Sequence, residues 1–174
     1  MNDFDSDMEE RRLAALYDLE ILDTPSERSF DRIVALTRFT FRVPIVSISL
    51  IDRDRQWFKA QHGMPVRETV RDVAICHYTI QQDAPLIIPD TTLDPRTCRN
   101  PDVTGNQRYR FYAGAPLRLS GGERIGSLCL LDRTPRDLTT SQVTLLQNLA
   151  GLVVEQIEQR AIVVAKVGAQ RRYA

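Results

Sequence analysis

Between Tyr109 and Leu119 the chain alternates with a period of two. Phe111, Ala113, Ala115, Leu117 and Leu119 fall on one side, and Arg110, Tyr112 and Arg118 on the other. That period marks a strand with one face buried. Ser120-Gly121-Gly122-Glu123 supplies residues that tolerate a tight turn, and Ile125 to Asp132 returns as a second apolar run. Together they predict a β-hairpin. An earlier pair has the same design. Ile45 to Asp52 is rich in β-branched residues, Asp52 to Arg55 is a turn, and Gln56 to His62 runs back. Leu86 to Pro89 predicts one more short strand.

Helical spacing takes over towards the two ends. Glu9 to Ile21 places Leu13, Leu16, Tyr17 and Leu19 near one side. Thr24-Pro25-Ser26-Glu27 then has the order of an N-cap, a first-turn proline and a capping-box acid, predicting a helix from there to about Phe41. Its inward residues are Phe30, Ile33, Val34, Leu36 and Thr37, and Pro44 ends it. Asp72 to Gln82 predicts a further helix, and Asp90 to Gln107 a long loop with at most a short helix. Thr139 and Gln142 repeat the capping box at the head of a last helix running from about Thr140 beyond Arg160. Antiparallel hairpins with helices gathered at the termini predict an α+β sandwich.

Composition narrows the class of function. The chain has 174 residues, 43% of them hydrophobic and 26% charged, the make-up of one globular domain. Lys plus Arg and Asp plus Glu each number 23, so no basic excess draws the chain to nucleic acid. No apolar run has the length of a membrane span, and the acidic N-terminus lacks the order of a signal peptide. Cys76, Cys98 and Cys129 have no disulfide-framework spacing, which favours a reducing cytoplasm. We divide the chain into a disordered acidic tail over 1–8, one domain over 9–160 and a helical extension over 161–174. It carries no phosphate loop, no G-x-S-x-G, no H-E-x-x-H and no CxxC, so nothing in it demands catalysis, a metal or a cofactor.

Taken together, several segments resemble the GAF domain family. They are "LEILDTPSERSFDRI" from Leu19, "PIVSISLIDRDRQWFKAQHG" from Pro44, "AICHYTI" from Ala74, "IIPDTTLDPR" from Ile87, "NPDVTG" from Asn100, and the late hairpin "RFYAGAPL…IGSLCLLDR". The set is similar to the bacterial GAF subgroup found ahead of sensor kinases, diguanylate cyclases and phosphatases. The resemblance implies a profilin-like sheet with a ligand pocket on the face away from the terminal helices. It also implies a non-enzymatic sensing and dimerisation module that binds an unidentified small molecule and signals to a downstream protein. The chain stops soon after its last helix, which suits either a stand-alone sensor or a fragment of a larger one.

In such a domain the pocket lies under the segments that cross the sheet, here Asp72 to Gln82 and Asp90 to Gln107. The candidate ligand contacts are therefore Trp57, Phe58, Cys76, His77, Asp90, Tyr109, Arg110, Phe111 and Tyr112. Aromatic walls with a few fixed polar groups suit a small ligand. Arg110 offers a fork for a carboxylate or phosphate, or else simply pairs with Asp90 or Asp94. Cys76-His77 resembles the chromophore-attachment pair of bilin-binding GAF photoreceptors, but it stands far ahead of the late hairpin. The plain reading is a buried thiol beside a polar histidine; a haem ligated by His77 has no second supporting feature. A thiol redox enzyme similar to the GAF-type free methionine sulfoxide reductases is the rival using Cys76, Cys98 or Cys129, although that family's cysteine arrangement is missing.

Ala161-Ile162-Val163-Val164-Ala165 is too apolar for a free tail, and an exposed apolar stripe marks an interface. Leu13 and Leu16 of the first helix, with Leu146, Leu149, Val153, Ile157 and Val164 of the last, are the expected seam of a homodimer.

Overall fold

The structure is a computed structural model that describes residues 6–172. Its helices are α1 (Ser6–Asp18), α2 (Arg28–Phe41), α3 (Cys76–Thr79), α4 (Pro101–Thr104) and α5 (Thr140–Arg172). Its strands are β1 (Ile45–Ile51), β2 (Arg55–His62), β3 (Glu68–Val70), β4 (Leu86–Ile88), β5 (Phe111–Arg118) and β6 (Arg124–Asp132). The strands form one six-stranded antiparallel sheet in the order β3-β2-β1-β6-β5-β4. The two predicted hairpins are therefore its centre, joined through β1 and β6.

The period of two sorts the side chains into two cores. Val46, Ile48 and Leu50 of β1 and Phe111, Ala113, Ala115 and Leu117 of β5 face α1, α2 and α5. From α5, Leu146, Leu149, Val153 and Ile157 close this layer. The opposite face carries a smaller core of Ile45, Ile51, Tyr112, Cys129 and Leu131 under Ala74, Ile75, Cys76 and Ile80. Each large aliphatic buried here is worth about 1.5–3 kcal/mol, so the helix-side core dominates stability.

Several elements depart from the sequence reading. α1 begins at Ser6, so residues 6–8 of the expected tail are helical, while residues 1–5 lie outside the described residues. α2 begins at Arg28 rather than near Pro25, because Thr24 Oγ1 donates to Ile21 O and so caps nothing. The helix expected over Asp72 to Gln82 is a single 3-10 turn, Arg71–Val73, followed by the four residues of α3. Ala74, Ile75, Cys76, Thr79 and Ile80 are all buried, so this segment has no polar stripe for a long surface helix and instead roofs the sheet. β3 was not anticipated; its short, polar sequence carries no periodic signal. The capping box of α5 does form: Gln142 N donates to Thr139 Oγ1 at 3.2 Å, and Thr139 N to Gln142 Oε1 at 2.9 Å.

Where β1 meets β2 the register slips, and Lys59 is the extra residue. The bulge turns its side chain towards α2, where Nζ lies 5.3 Å from the centre of the Phe30 ring.

Candidate functional site

The roof Arg71–Ile80 and the sheet enclose a cavity of about 30 Å³, room for roughly one water. Gln56, Met64, Ala74, Cys76, Asp102, Tyr109, Tyr112 and Cys129 are among its walls. Tyr112 is the pillar of this space. Its OH is 2.6 Å from Thr79 Oγ1 and donates to Cys76 Sγ at 3.4 Å, joining β5 to the roof. Gly114 makes that possible: a Cβ there would lie 2.9 Å from Thr79 Oγ1 and overlap Tyr112 OH.

The cavity is mostly apolar, with a few polar wall residues, one of them incompletely satisfied. Among the described residues, the buried side-chain atoms without a hydrogen-bond partner are Ser49 Oγ, Gln56 Oε1 and Ser127 Oγ. Ser49 and Ser127 stand opposite each other on β1 and β6, and Gln56 is in the cavity wall. Asp102 is the carboxylate of the wall, and burial raises its pKa. Burial also pushes the Tyr109 phenol up to about 12. The arrangement offers acceptors and an acid, and no cation lines it. It suits a ligand rich in N–H or O–H donors.

The structure separates the sequence-predicted contacts. Cys76, Tyr109 and Tyr112 line the cavity. Trp57 and Phe58 instead line a groove of about 440 Å³ at the outer edge of β2, with Thr24, Lys59 and Arg67. Phe111 faces the terminal helices and belongs to the other core, so the expected single aromatic wall does not exist. Adjacent strand residues point to opposite faces, which divides Phe111 from Tyr112. Arg110 turns to the backbone: its Nη1 donates to Val103 O and Tyr109 O, both at 2.9 Å. Asp90 Oδ1 accepts from Thr92 N and Oγ1, forming a surface turn. Gln56, Asp102 and Met64 escaped sequence reasoning. Only the parity of Gln56 with Phe58 along β2 hinted at the first.

His77 sits beside the cavity in a chain of charged groups. Arg71 Nε donates to His77 Nδ1 at 3.2 Å, and Gln81 Nε2 lies 2.8 Å from His77 Nε2. Burial lowers the His77 pKa, and the Arg71 guanidinium lowers it further. Arg71 Nη1 also contacts Glu9 Oε1 at 2.5 Å and Asp52 O at 3.2 Å. Glu9 takes two further bonds from Arg12, each 2.8 Å. Burial raises the Glu9 carboxyl, but the two arginines outweigh it and hold it at about 2. The roof is thus tied to α1.

A second tie reaches α5. Lys59 Nζ donates to Thr24 Oγ1 at 2.8 Å, Pro25 O at 2.8 Å and Glu27 Oε1 at 2.6 Å. Arg160 Nε donates to the same Glu27 oxygen at 2.7 Å, and its Nη1 to Leu19 O and Glu20 O.

Most residues of the expected dimer seam lie inside the domain. Leu13, Leu16, Leu146, Leu149, Val153 and Ile157 are all buried within the protein's own core; Val164 alone of the set is partly exposed. Exposed instead are Leu36 and Phe39 on α2 and Leu145, Leu152, Ile162, Val163 and Val167 on α5. The apolar residues of α5 run right round it, so spacing alone did not say which of them the sheet takes.

Residues 25–157 match the model of the GAF domain. The chain belongs to the GAF domain family. A cyclic di-GMP phosphodiesterase of Pseudomonas aeruginosa is 41% identical over 150 residues, covering 86% of this chain and 26% of that protein. The chain thus spans about a quarter of that relative. The GAF domain of an Acinetobacter phosphoenolpyruvate-protein phosphotransferase superposes with a TM-score of 0.66 at 20% identity, over 91% of this chain and 97% of that one. The PixJ GAF domain of Thermosynechococcus elongatus, in its blue-light absorbing form, gives a TM-score of 0.66 at 14% identity, over 99% of each. These two likenesses are of fold. Among the described residues no helix is long and apolar enough to cross a membrane, and no cluster of His, Cys, Asp and Glu is arranged to hold a metal.

Proposed function

We propose that this GAF domain is a non-enzymatic small-molecule sensor and dimerisation module of a signalling protein. Its ligand enters the cavity between the sheet and the roof Arg71–Ile80. The observation that carries this reading is Arg71, a roof residue bonded directly to Glu9 of a terminal helix. A cavity of about 30 Å³ admits nothing larger than a water-sized molecule unless the roof lifts. Lifting it strains the Arg71–Glu9 contact and shifts α1, so occupancy and helix position become one equilibrium. Gln56 Oε1 and Asp102 favour a neutral or cationic ligand with hydrogen-bond donors over an anion.

The helices carry the signal to a second copy through the exposed apolar residues of α2 and α5, and on to an attached or separate effector. The phosphodiesterase relative supports an effector that acts on cyclic di-GMP. Native mass spectrometry of the freshly purified protein tests ligand and stoichiometry together. A co-purified small molecule on a dimer is the expected result. A second reading, a purely structural dimerisation domain, is favoured by the smallness of the cavity. A ligand-free dimer with an unchanged affinity after metabolite extracts are added selects it.

A further inference from the structure

Two thiols share the small cavity. Cys76 on α3 and Cys129 on β6 both line it, and both are free and buried. Each sulfur has a hydroxyl partner: Tyr112 OH donates to Cys76 Sγ at 3.4 Å, and Ser47 Oγ lies 3.0 Å from Cys129 Sγ. The elements that carry them, α3 and β6, pack directly against each other.

Their environments are unequal. Burial raises the Cys76 thiol, but Cys129, Ser127, Tyr112 and Ser49 around it outweigh that and bring it below the usual thiol range. Cys129 moves the opposite way, raised by its contact with Cys76 and by burial. Two cysteines that only filled an apolar core would both be raised. The Tyr112 hydroxyl gives Cys76 the hydrogen-bond donor that a developing thiolate needs. Ser49 and Ser127, opposite each other on β1 and β6, lie two residues along from Ser47 and Cys129 on the same face of the sheet.

We propose that Cys76 and Cys129 form a peroxide-responsive thiol pair, with Cys76 the attacking and Cys129 the resolving sulfur. The cavity accepts hydrogen peroxide, which is little larger than water. The Cys76 thiolate attacks one peroxide oxygen; an S–O bond forms, the O–O bond breaks, and the departing oxygen takes a proton and leaves as water. Cys129 sulfur then attacks the sulfenic sulfur; the S–S bond forms, the S–O bond breaks, and hydroxide leaves with the Cys129 proton as a second water. Two thiols are oxidised and one peroxide is reduced. The disulfide ties the roof to β6 across the cavity. This chemistry holds whether or not a ligand ever enters the cavity.

The test uses the full chain carrying Cys98→Ser, treated with hydrogen peroxide in stoichiometric steps. The expected product has lost the mass of two hydrogen atoms and yields a linked Cys76–Cys129 peptide. In Cys129→Ser the reaction halts at a sulfenic acid on Cys76, trapped by dimedone; Cys76→Ser leaves Cys129 unmodified. Circular dichroism melts establish that each serine variant is folded. Recovery of both thiols free from peroxide-treated, folded Cys98→Ser protein overturns the proposal. So does a disulfide that appears only in denaturant. Oxidation of Cys98 alone in the unsubstituted chain, with the other two intact, has the same consequence.

Discussion

Lys59 and Glu27 face each other at 2.6 Å, the lysine side chain fully shielded from water and the glutamate about a third exposed at 34%. A shielded ammonium needs every donor engaged, and Thr24 Oγ1, Pro25 O and Glu27 Oε1 engage them. Arg160 adds α5 to the same carboxylate at 2.7 Å. One oxygen of Glu27 therefore joins the β2 bulge to the longest helix.

Removing that oxygen's charge leaves two cations around a neutral amide. Glu27→Gln should destabilise the domain by about 2–3 kcal/mol, below the range for a fully buried pair because Glu27 is partly exposed. Lys59→Met should cost less, since it removes the shielded charge itself and leaves Glu27 partly exposed and still paired with Arg160. Urea unfolding of the two variants checks the order; a Lys59→Met loss larger than that of Glu27→Gln contradicts it.

Acid should act through the depressed carboxylates. Glu9 is held near 2 where its ordinary value is 4.5, and Glu27 is also lowered, by Lys59 and Arg160 against burial. A group whose folded pKa is depressed contributes stability above its unfolded value and loses it as pH falls through the folded one. Glu9's contribution is thus complete above pH 4.5 and fades towards about 2. Melting temperatures should drop over that window, and Glu9→Gln should flatten the drop while lowering the neutral-pH value. An unchanged acid limb in Glu9→Gln would be the contrary result.

Tyr112 and Thr79 should report the state of the roof. Tyr112→Phe removes the OH that spans 2.6 Å to Thr79 and leaves that buried hydroxyl short of a partner, costing about 1–2 kcal/mol. Gly114→Ala, which drives a methyl into the same contact, should cost more. Hydrogen exchange over 71–82 should rise in both variants before exchange in β1 or β6 does. Uniform acceleration throughout the sheet would show that the roof is not a separate unit.

Much of this architecture is legible along the chain, for a physical reason. Phe111 to Leu119 repeats every two residues because a sheet separates two environments, and the capping box at Thr139 and Gln142 is local. Both signals need only neighbours in sequence. Thr24-Pro25-Ser26-Glu27 shows the limit. Locally it is a helix start, yet Thr24 and Glu27 are claimed by Lys59, 35 and 32 positions away. The candidate site shows the same limit. Cys76 and Tyr112 were legible as residue types, but Arg110 turns to the carbonyl of Val103, and Asp102 enters the cavity from a segment read as loop. Which of the leucines on α5 are inside depends on the angle at which the sheet receives the helix, and no periodicity in a helix apolar on all sides encodes that.

That distinction between inner and outer leucines can be measured. α5 has 33 residues, about 50 Å of helix. Leu149 is 5% exposed and Leu152 is 49% exposed, one helical turn apart. Leu149→Ala removes core contacts and should cost about 2–5 kcal/mol in urea unfolding whatever the protein concentration. Leu152→Glu, and Val163→Glu beyond it, should change monomer stability by no more than about 0.5 kcal/mol. If the exposed stripe meets a second copy, both glutamates place like charges across the seam and shift the sedimentation profile towards monomer. Phe39→Glu on α2, 82% exposed before substitution, should act in the same direction. A sedimentation profile that none of the three alters, from a protein that remains dimeric, would assign the contact to a different face.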